Sequence, residues 1–155
     1  MTNIDRLNIN NGGQPVSGYT GSSAVFGEVG ALVGGALPDA YIDFIRKVDG
    51  GHPEVGCFPM SGGRPDDLME VAWFYSFANP NLENIKAAIN GWAELLGPLA
   101  LPIGHDGGGN QVYLLLGPNA PSVWLYLHDE NAARVKLADC FEDFLSGLVT
   151  NPDFV

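Results

Sequence analysis

The chain has few basic residues for its size. Seven lysines and arginines face eighteen aspartates and glutamates in 155 residues, which gives a formal net charge of -11. A surface with this charge repels phosphate backbones and anionic lipid headgroups, so binding to nucleic acid or to membrane surfaces is disfavoured. The same charge would attract a basic protein and speed its capture. Acidity also keeps a protein soluble, and the charge alone does not separate these two interpretations.

Cysteines and long apolar runs are scarce as well. We expect Cys57 and Cys140, which lie in different apolar contexts, to be reduced thiols of a cytoplasmic protein rather than a disulfide. No apolar run reaches the roughly 18 residues of a membrane-spanning helix, and the first residues lack a secretory signal pattern. Because 46% of the residues are hydrophobic, the length and composition indicate one domain with one packed core.

The order of the periodic segments predicts a single α+β domain. Residues 1–21 are rich in turn-forming residues, so we expect a flexible or loop-like arm before a domain over residues 22–155. Apolar residues at helical spacing predict four helices, which begin at Ser22 or Ser23, at Pro38, after Asn81 and, with a capping box to Glu142, at Asp139. Strand patterns lie near residues 55–60, 71–77, 99–104, 111–116 and 122–128. The last three are joined by short turns, which predicts a mainly antiparallel sheet flanked by about four helices.

The last two predicted strands are apolar on both sides. If residues 117–121 form the turn between them, Leu114 lies opposite Trp124 and Val112 opposite Tyr126. Neither face of the sheet is then polar. Either both faces are covered by other elements, or one presents an aromatic patch to a partner.

The glycine-rich segment at residues 105–110 invites a phosphate-loop interpretation. Such a loop needs a Gly-Lys-Ser or Gly-Lys-Thr ending that leads into a helix. Here Gly107, Gly108 and Gly109 lead into a strand pattern and no lysine is near. The segment therefore predicts a hairpin turn that glycine makes possible.

Two His-Asp pairs end the first and third strands of the predicted meander, and they invite a metal-site interpretation. His105 and His128 fall at the same edge of the sheet, where histidines and carboxylates could bind a divalent cation. Metal-dependent hydrolases of the His-Asp type carry their ligands on helices, however, and no cysteine joins this pair. We favour an acidic rim, formed by Asp106, Asp129 and Glu130 with both histidines, that is either solvated surface or part of a docking site.

Nothing else in the sequence calls for catalysis, a metal or a cofactor. Neither cysteine has the flanking residues of a reactive thiol, and there is no Gly-x-Ser-x-Gly elbow. The carboxylate pair Asp66-Asp67 lies in a polar loop without the apolar surroundings that raise the pKa of a general acid. We expect a protein without enzymatic activity.

Four motifs in order resemble the SUKH superfamily, which includes the fungal cell-wall assembly regulators. The motifs are Leu37-Pro38-x-x-Tyr41-x-x-Phe44-Ile45 closed by Asp49-Gly50-Gly51, Pro102-Ile103-x-x-Asp106-Gly107-Gly108-Gly109-Asn110, Val123-Trp124 with His128-Asp129, and Ala138-x-Cys140-Phe141-x-x-Phe144-Leu145. The resemblance covers roughly residues 25–148. Asp49 stands where the family usually has asparagine, and Cys140 where serine is common.

The resemblance implies an α+β domain without catalytic activity. Bacterial members mostly serve as immunity proteins, which bind and neutralise toxins of polymorphic or contact-dependent systems. Many of these toxins act on nucleic acid, so a basic toxin would suit an acidic inhibitor. The alternative is a regulatory or scaffolding module similar to the cell-wall assembly regulators.

Candidate partner-binding residues follow from the charge and the exposed aromatic pattern. They are the rim residues His105, Asp106, His128, Asp129 and Glu130, the acids Asp66, Asp67 and Glu70, and the aromatic anchors Trp73 or Tyr75. Core packing is the alternative role for Trp73.

Overall fold

Helices and strands follow one another in runs along the chain, and most connections between successive strands are short. The computed structural model describes residues 3–60, 68–117 and 121–151. Within these ranges the helices are a short 3-10 helix (Ile4–Leu7), α1 (Ala24–Val33), α2 (Asp39–Lys47), α3 (Ile85–Leu96) and α4 (Phe141–Gly147). None of these helices is long and apolar enough to cross a membrane.

The strands form three antiparallel sheets. They are β1 (Ile9–Asn11), β2 (Gln14–Pro15), β3 (His52–Pro53), β4 (Cys57–Pro59), β5 (Leu68–Glu70), β6 (Trp73–Phe74), β7 (Ala100–His105), β8 (Gln111–Leu115), β9 (Ser122–Leu127) and β10 (Ala133–Ala138). The central sheet has the order β10-β9-β8-β7-β6, and smaller sheets have the orders β2-β1-β3 and β4-β5. The predicted α+β class, with one domain, antiparallel sheets and four helices, is confirmed.

Side-chain caps explain where two helices begin. The Asn84 side chain accepts hydrogen bonds from the amides of Lys86 and Ala87 and so starts α3. The predicted capping box of α4 at Asp139 is wrong by one residue, because the N-cap is Cys140. Its Sγ accepts from the amide of Asp143 at 3.4 Å, the bond that a serine hydroxyl would otherwise make.

The meander has one more strand, and a different register, than the sequence predicts. Strand β10 was missed, and it pairs with β9 along its length. Tyr113 lies opposite Trp124, one residue away from the predicted pairing. Leu116 is not paired with β9, and its amide donates to the carbonyl of Leu99 at 2.7 Å, which continues the pairing of β8 with β7. A one-residue slip exchanges the two faces of a strand, so the register decides which side chains share a face.

One face of the central sheet carries the main core. Phe74 of β6 meets Phe44 of α2 with ring centroids 5.1 Å apart, and Phe44 meets Phe141 of α4 at 5.3 Å. All three rings are buried, and Val112 and Leu125 lie on the same face of the sheet. Helices α2 and α4 therefore cover this face, and burying these aromatic rings contributes much of the hydrophobic stabilisation.

The opposite face carries a smaller aromatic cluster under α3. The indole of Trp92 approaches the ring of Tyr126 at 6.0 Å, and Tyr113 and Leu96 are buried beside them. The guanidinium of Arg134 donates to the carbonyls of Leu95 and Leu96 at 2.8 and 2.7 Å. Cationic donors at a helix C-terminus are favourable because they meet its unpaired carbonyls. Helix α3 is thus attached to this face at its C-terminal end.

The N-terminal segment is more regular than its turn-rich sequence indicates. Strand β1 pairs with β2 and with β3, and Leu7 and Ile9 are buried in the main core. The Arg6 guanidinium donates to the carbonyls of Leu145 and Leu148 at 2.6 and 2.8 Å, which ties the segment to the end of α4. Periodicity could not show this, because the segment has only two core side chains.

Candidate functional site

The glycine-rich segment is a closed hairpin loop between β7 and β8. Oδ1 of Asp106 accepts from the amides of Gly108 and Asn110 at 2.8 and 3.0 Å, and Oδ2 accepts from the Asn110 side chain at 2.7 Å. Gly107 and Gly109 have φ of 85° and 98°, a region that glycine enters without strain. Asp106 therefore closes its own loop, and its carboxylate is committed to backbone and amide donors rather than to a partner.

The two rim histidines lie at the same end of the central sheet, as predicted, but they have different partners. His105 pairs with Gln111 across the ladder, and Gln111 pairs with Tyr126, next to the last residue of β9. Oδ1 of Asn110 accepts from the His128 amide at 3.0 Å and lies 2.8 Å from its Nδ1. His128 therefore joins the hairpin loop to the end of β9.

His105 faces the other way along the sheet, towards the start of α3. Its Nδ1 accepts from the amide of Gly107 at 3.0 Å, and its Nε2 lies 3.2 Å from Oε2 of Glu83. These last two atoms are within ion-pair distance but lack the alignment of a hydrogen bond. Over the described residues, no three His, Cys, Asp or Glu side chains converge as they would around a metal ion.

Asp129 and Glu130 form an exposed acidic tip on the turn between β9 and β10. The turn continues through Asn131 and Ala132, which have φ of 56° and 58°. The predicted acidic rim is thus divided. Asp106 and His128 support the loop, while the two tip acids extend into solvent and are free of ion pairs with any described lysine or arginine.

Among the other predicted acids, Glu70 lies apart from the tip in the fold. Asp66 and Asp67 fall outside the described residues. Glu70 is exposed on β5, in the small two-stranded sheet, where its Oε2 accepts from Cys57 Sγ and from the Asn151 side chain, both at 3.4 Å. Cys57 is buried and is not part of a disulfide. The structure therefore places Glu70 and the acidic tip in different sheets.

The two predicted aromatic anchors differ in exposure. Tyr75 is only 3% exposed, and its hydroxyl donates to Oε1 of Gln111 at 2.5 Å. Burial raises the pKa of the Tyr75 phenol, the hydrogen bond to Gln111 lowers it in part, and the Glu83 carboxylate raises it further. Trp73 is half-buried, with its ring 5.5 Å from that of His52. A surface anchor has to be accessible, so Tyr75 does not serve as one and Trp73 does only in part.

A cavity beside α3 was missed by the sequence prediction. It has a volume of about 280 Å³ and is lined by Tyr75, Glu83, Asn84, Ala87, Ala88, Gly91 and Trp92. The sequence signal was present, because small residues precede Trp92 at helical spacing. We call this feature the α3 cavity; it brings a buried phenol, a carboxylate and an indole to one place.

A second concavity lies along α1 and the segment that leads into α2. Its volume is about 450 Å³, and its lining is Phe26, Gly27, Gly30, Ala31, Gly35, Ala36, Leu37 and Ile42. It is larger than the α3 cavity but contains no charged side chain. The α3 cavity differs in having a carboxylate, that of Glu83, in its lining.

The sequence matches one family model, described as "SMI1 / KNR4 family (SUKH-1)", over residues 20–147. The matched range includes all four helices of the domain up to the last residue of α4, together with the whole central sheet. No curated protein matches the chain.

Proposed function

The chain belongs to the SMI1 / KNR4 family (SUKH-1), and from this membership we propose that it is an immunity-type protein. In this proposal it binds and neutralises a cognate toxin of a bacterial polymorphic or contact-dependent toxin system. It does so in the cytoplasm, by occupying the toxin, without catalysis or a cofactor. The observation that carries the proposal is the family match over residues 20–147 in a chain with a net charge of -11.

The distribution of charge supports a basic toxin. Each described lysine and arginine already has an acceptor within the protein, whether a carboxylate or a backbone carbonyl. The six residues are Arg6, Arg46, Lys47, Lys86, Arg134 and Lys136. The excess of acids is therefore not offset by free cations in the described part of the chain. Such a field accelerates the approach of a basic protein, and surface carboxylates can occupy positions where the toxin would otherwise bind phosphates.

Co-expression with the neighbouring toxin gene tests the proposal directly. A toxin domain encoded next to this gene is expressed in a susceptible bacterial host with and without the protein. We expect growth arrest without the protein, and normal growth together with a stoichiometric complex when it is present. If the toxin still kills the cells and no complex forms, the immunity function is wrong, and the regulatory or scaffolding alternative takes its place.

The acidic tip is an exposed predicted binding element, and charge reversal tests it. Changing Asp129→Lys and Glu130→Lys together should slow association with a basic toxin and flatten its salt dependence, because rim charges act mainly on the association rate. Association rates measured by surface plasmon resonance at several salt concentrations report both effects.

A matched control separates the tip from the overall charge. Asp39→Lys with Asp43→Lys changes the net charge by the same amount on the exposed side of α2. Equal slowing by both double variants would show that only the net charge matters. Asp106 is left unchanged in this experiment, because its carboxylate holds the hairpin loop.

A further inference from the structure

The α3 cavity combines one negative charge with aromatic walls. The Glu83 side chain is 64% exposed, Tyr75 is buried and Trp92 is half-buried, and all three line the cavity. Among the described lysines and arginines, none pairs with Glu83; its ionic contact is with His105. A carboxylate and an indole in the lining of one cavity are groups that attract a cation with an extended apolar surface.

The start of α3 does not oppose a cation as strongly as a bare helix N-terminus would. An uncapped N-terminus presents free amide donors and favours anions. Here Asn84 Oδ1 already accepts from the amides of Lys86 and Ala87, at 2.8 and 3.3 Å. Glu83, the residue before the cap, is therefore the strongest charge at the mouth of the cavity.

Gly91 keeps the cavity open at a cost to the helix. Glycine in the middle of a helix is less favourable than alanine, and it is usually retained for close packing or for a special backbone conformation. Neither reason applies to Gly91, because no atom lies within 4 Å of the position its Cβ would occupy, and its φ is not in the left-handed region. A side chain at this position would instead project from the lining of the cavity.

The same face of the sheet already binds one arginine in this way. The Arg134 guanidinium lies 5.8 Å from the ring centre of Tyr113 and 5.7 Å from that of Tyr126, while it donates to carbonyl oxygens of α3. The aromatic rings contact the flat face of the guanidinium, and the oxygen acceptors at its edge receive its N–H donors. The α3 cavity offers a second set of these groups, Trp92 and Glu83, without an internal arginine to occupy it.

We propose that the α3 cavity receives an arginine side chain of the protein partner, with the guanidinium between the Glu83 carboxylate and the Trp92 ring. The volume of about 280 Å³ admits one long side chain and not a folded segment. This inference rests on the proposed function, since it specifies how a basic toxin is recognised. It adds a residue type and a subsite, neither of which follows from membership of the family.

The cavity can be tested on the purified protein without the toxin. The probe is the capped tripeptide Gly-Arg-Gly, titrated at constant ionic strength and followed by NMR through backbone amides and tryptophan indole signals. The control probe replaces arginine by citrulline, which has the same shape without the charge. We expect saturable shifts centred on Trp92 and Gly91 for the arginine peptide and none for the citrulline peptide.

Two pairs of variants locate the binding. Glu83→Gln should weaken binding of the arginine peptide about threefold to fivefold, the range of an exposed ion pair. Glu94→Gln on the same helix should leave the affinity unchanged. Gly91→Leu should block the cavity and abolish the shifts. Asn90→Leu, an equal change at an exposed position outside the cavity, should not. Gly91→Leu enters open space, so the variant should remain folded.

Each outcome bears on the cavity separately from the immunity function. Shifts spread evenly over the surface, equal weakening by Glu83→Gln and Glu94→Gln, or equal binding of the citrulline peptide would overturn the arginine subsite. If growth rescue and toxin binding persist unchanged in Gly91→Leu, the subsite is wrong and the immunity function stands. If the arginine peptide binds as expected and no toxin is neutralised, the subsite stands and the immunity function is wrong.

Discussion

The two faces of the central sheet differ in how completely they are covered. On the face of Phe74, which helices α2 and α4 cover, Val112 and Leu125 are at most 2% exposed. On the face of Tyr126, α3 covers one side and leaves Trp124 half-exposed and Leu115 36% exposed. Both faces are apolar in sequence. The difference shows that apolar alternation identifies the faces of a sheet but not how much of each is covered.

This difference separates a face that stabilises the fold from a face that is open to a partner. The first face has interlocked aromatic rings. The second has the α3 cavity, and its helix is held at the C-terminal end by the side chain of one arginine. Three pairs of substitutions test this comparison through the stability of the protein.

The largest expected effect comes from removing an aromatic ring on the closed face. Phe44→Ala should lower the free energy of unfolding by about 3–5 kcal/mol, because it removes a fully buried ring that contacts two others. Trp124→Ala on the open face should cost no more than about 2 kcal/mol, since the indole is half-exposed. Urea unfolding followed by circular dichroism measures both. Equal losses would mean that the two faces contribute alike.

A smaller effect is expected from releasing α3. Arg134→Met keeps an apolar stem but removes the donors to Leu95 and Leu96, and should cost about 1–2 kcal/mol. Urea unfolding measures the loss, and hydrogen exchange should show less protected amides at the end of α3.

The control for Arg134 lies on the same strand and the same face. Lys136 donates to Asp139, lowering the pKa of that carboxyl below its usual value through the hydrogen bond and then the charge. A carboxyl whose pKa is lowered by folding stabilises the folded state at pH values above its pKa in the unfolded chain. This stabilisation is lost as the pH falls through its pKa in the folded protein. Lys136→Met should therefore return the Asp139 pKa towards its usual value, measured by NMR titration, and leave α3 protected. Equal loss of α3 protection in both variants would contradict the role of Arg134.

The smallest effect, and the one of opposite sign, is expected at the cavity. Gly91→Ala should stabilise the protein by about 0.5–1 kcal/mol, because alanine is the better helix former and its Cβ meets no atom. Gly30→Ala in α1 is the contrast. The new Cβ would lie 2.6 Å from the carbonyl oxygen of Gly35, so this substitution should destabilise the protein. Thermal unfolding distinguishes the two signs. Destabilisation by Gly91→Ala would show that the glycine serves packing rather than an open cavity.

The candidate site was predictable in part, and the limits have physical causes. Both rim histidines lie at one end of the sheet because turns, not crossovers, join the meander strands, which the glycine pattern indicates. The role of Asp106 was less visible, since a carboxylate that closes a loop and one that meets a partner look alike in a sequence. Asp49 shows the same limit: its two oxygens accept from the amides of Phe77 and Ala78 at 2.6 and 3.0 Å, so it is buried although charged. An asparagine side chain has only one oxygen, so it could not offer a separate acceptor to each of these two amides.

Local chemistry along the chain determined the four helices, the antiparallel class and the acidic charge. Helical spacing, caps and turn residues act over a few neighbours, so they can be read without the fold. Only the tertiary structure decided the register of β8 with β9, because both faces of these strands are apolar and the sequence pattern therefore fits more than one pairing. Tertiary packing also decided that Tyr75 is buried and that Glu83 and Trp92 line one cavity. Such contacts join distant segments, and no local pattern specifies which side chains the packing of α3 will leave uncovered.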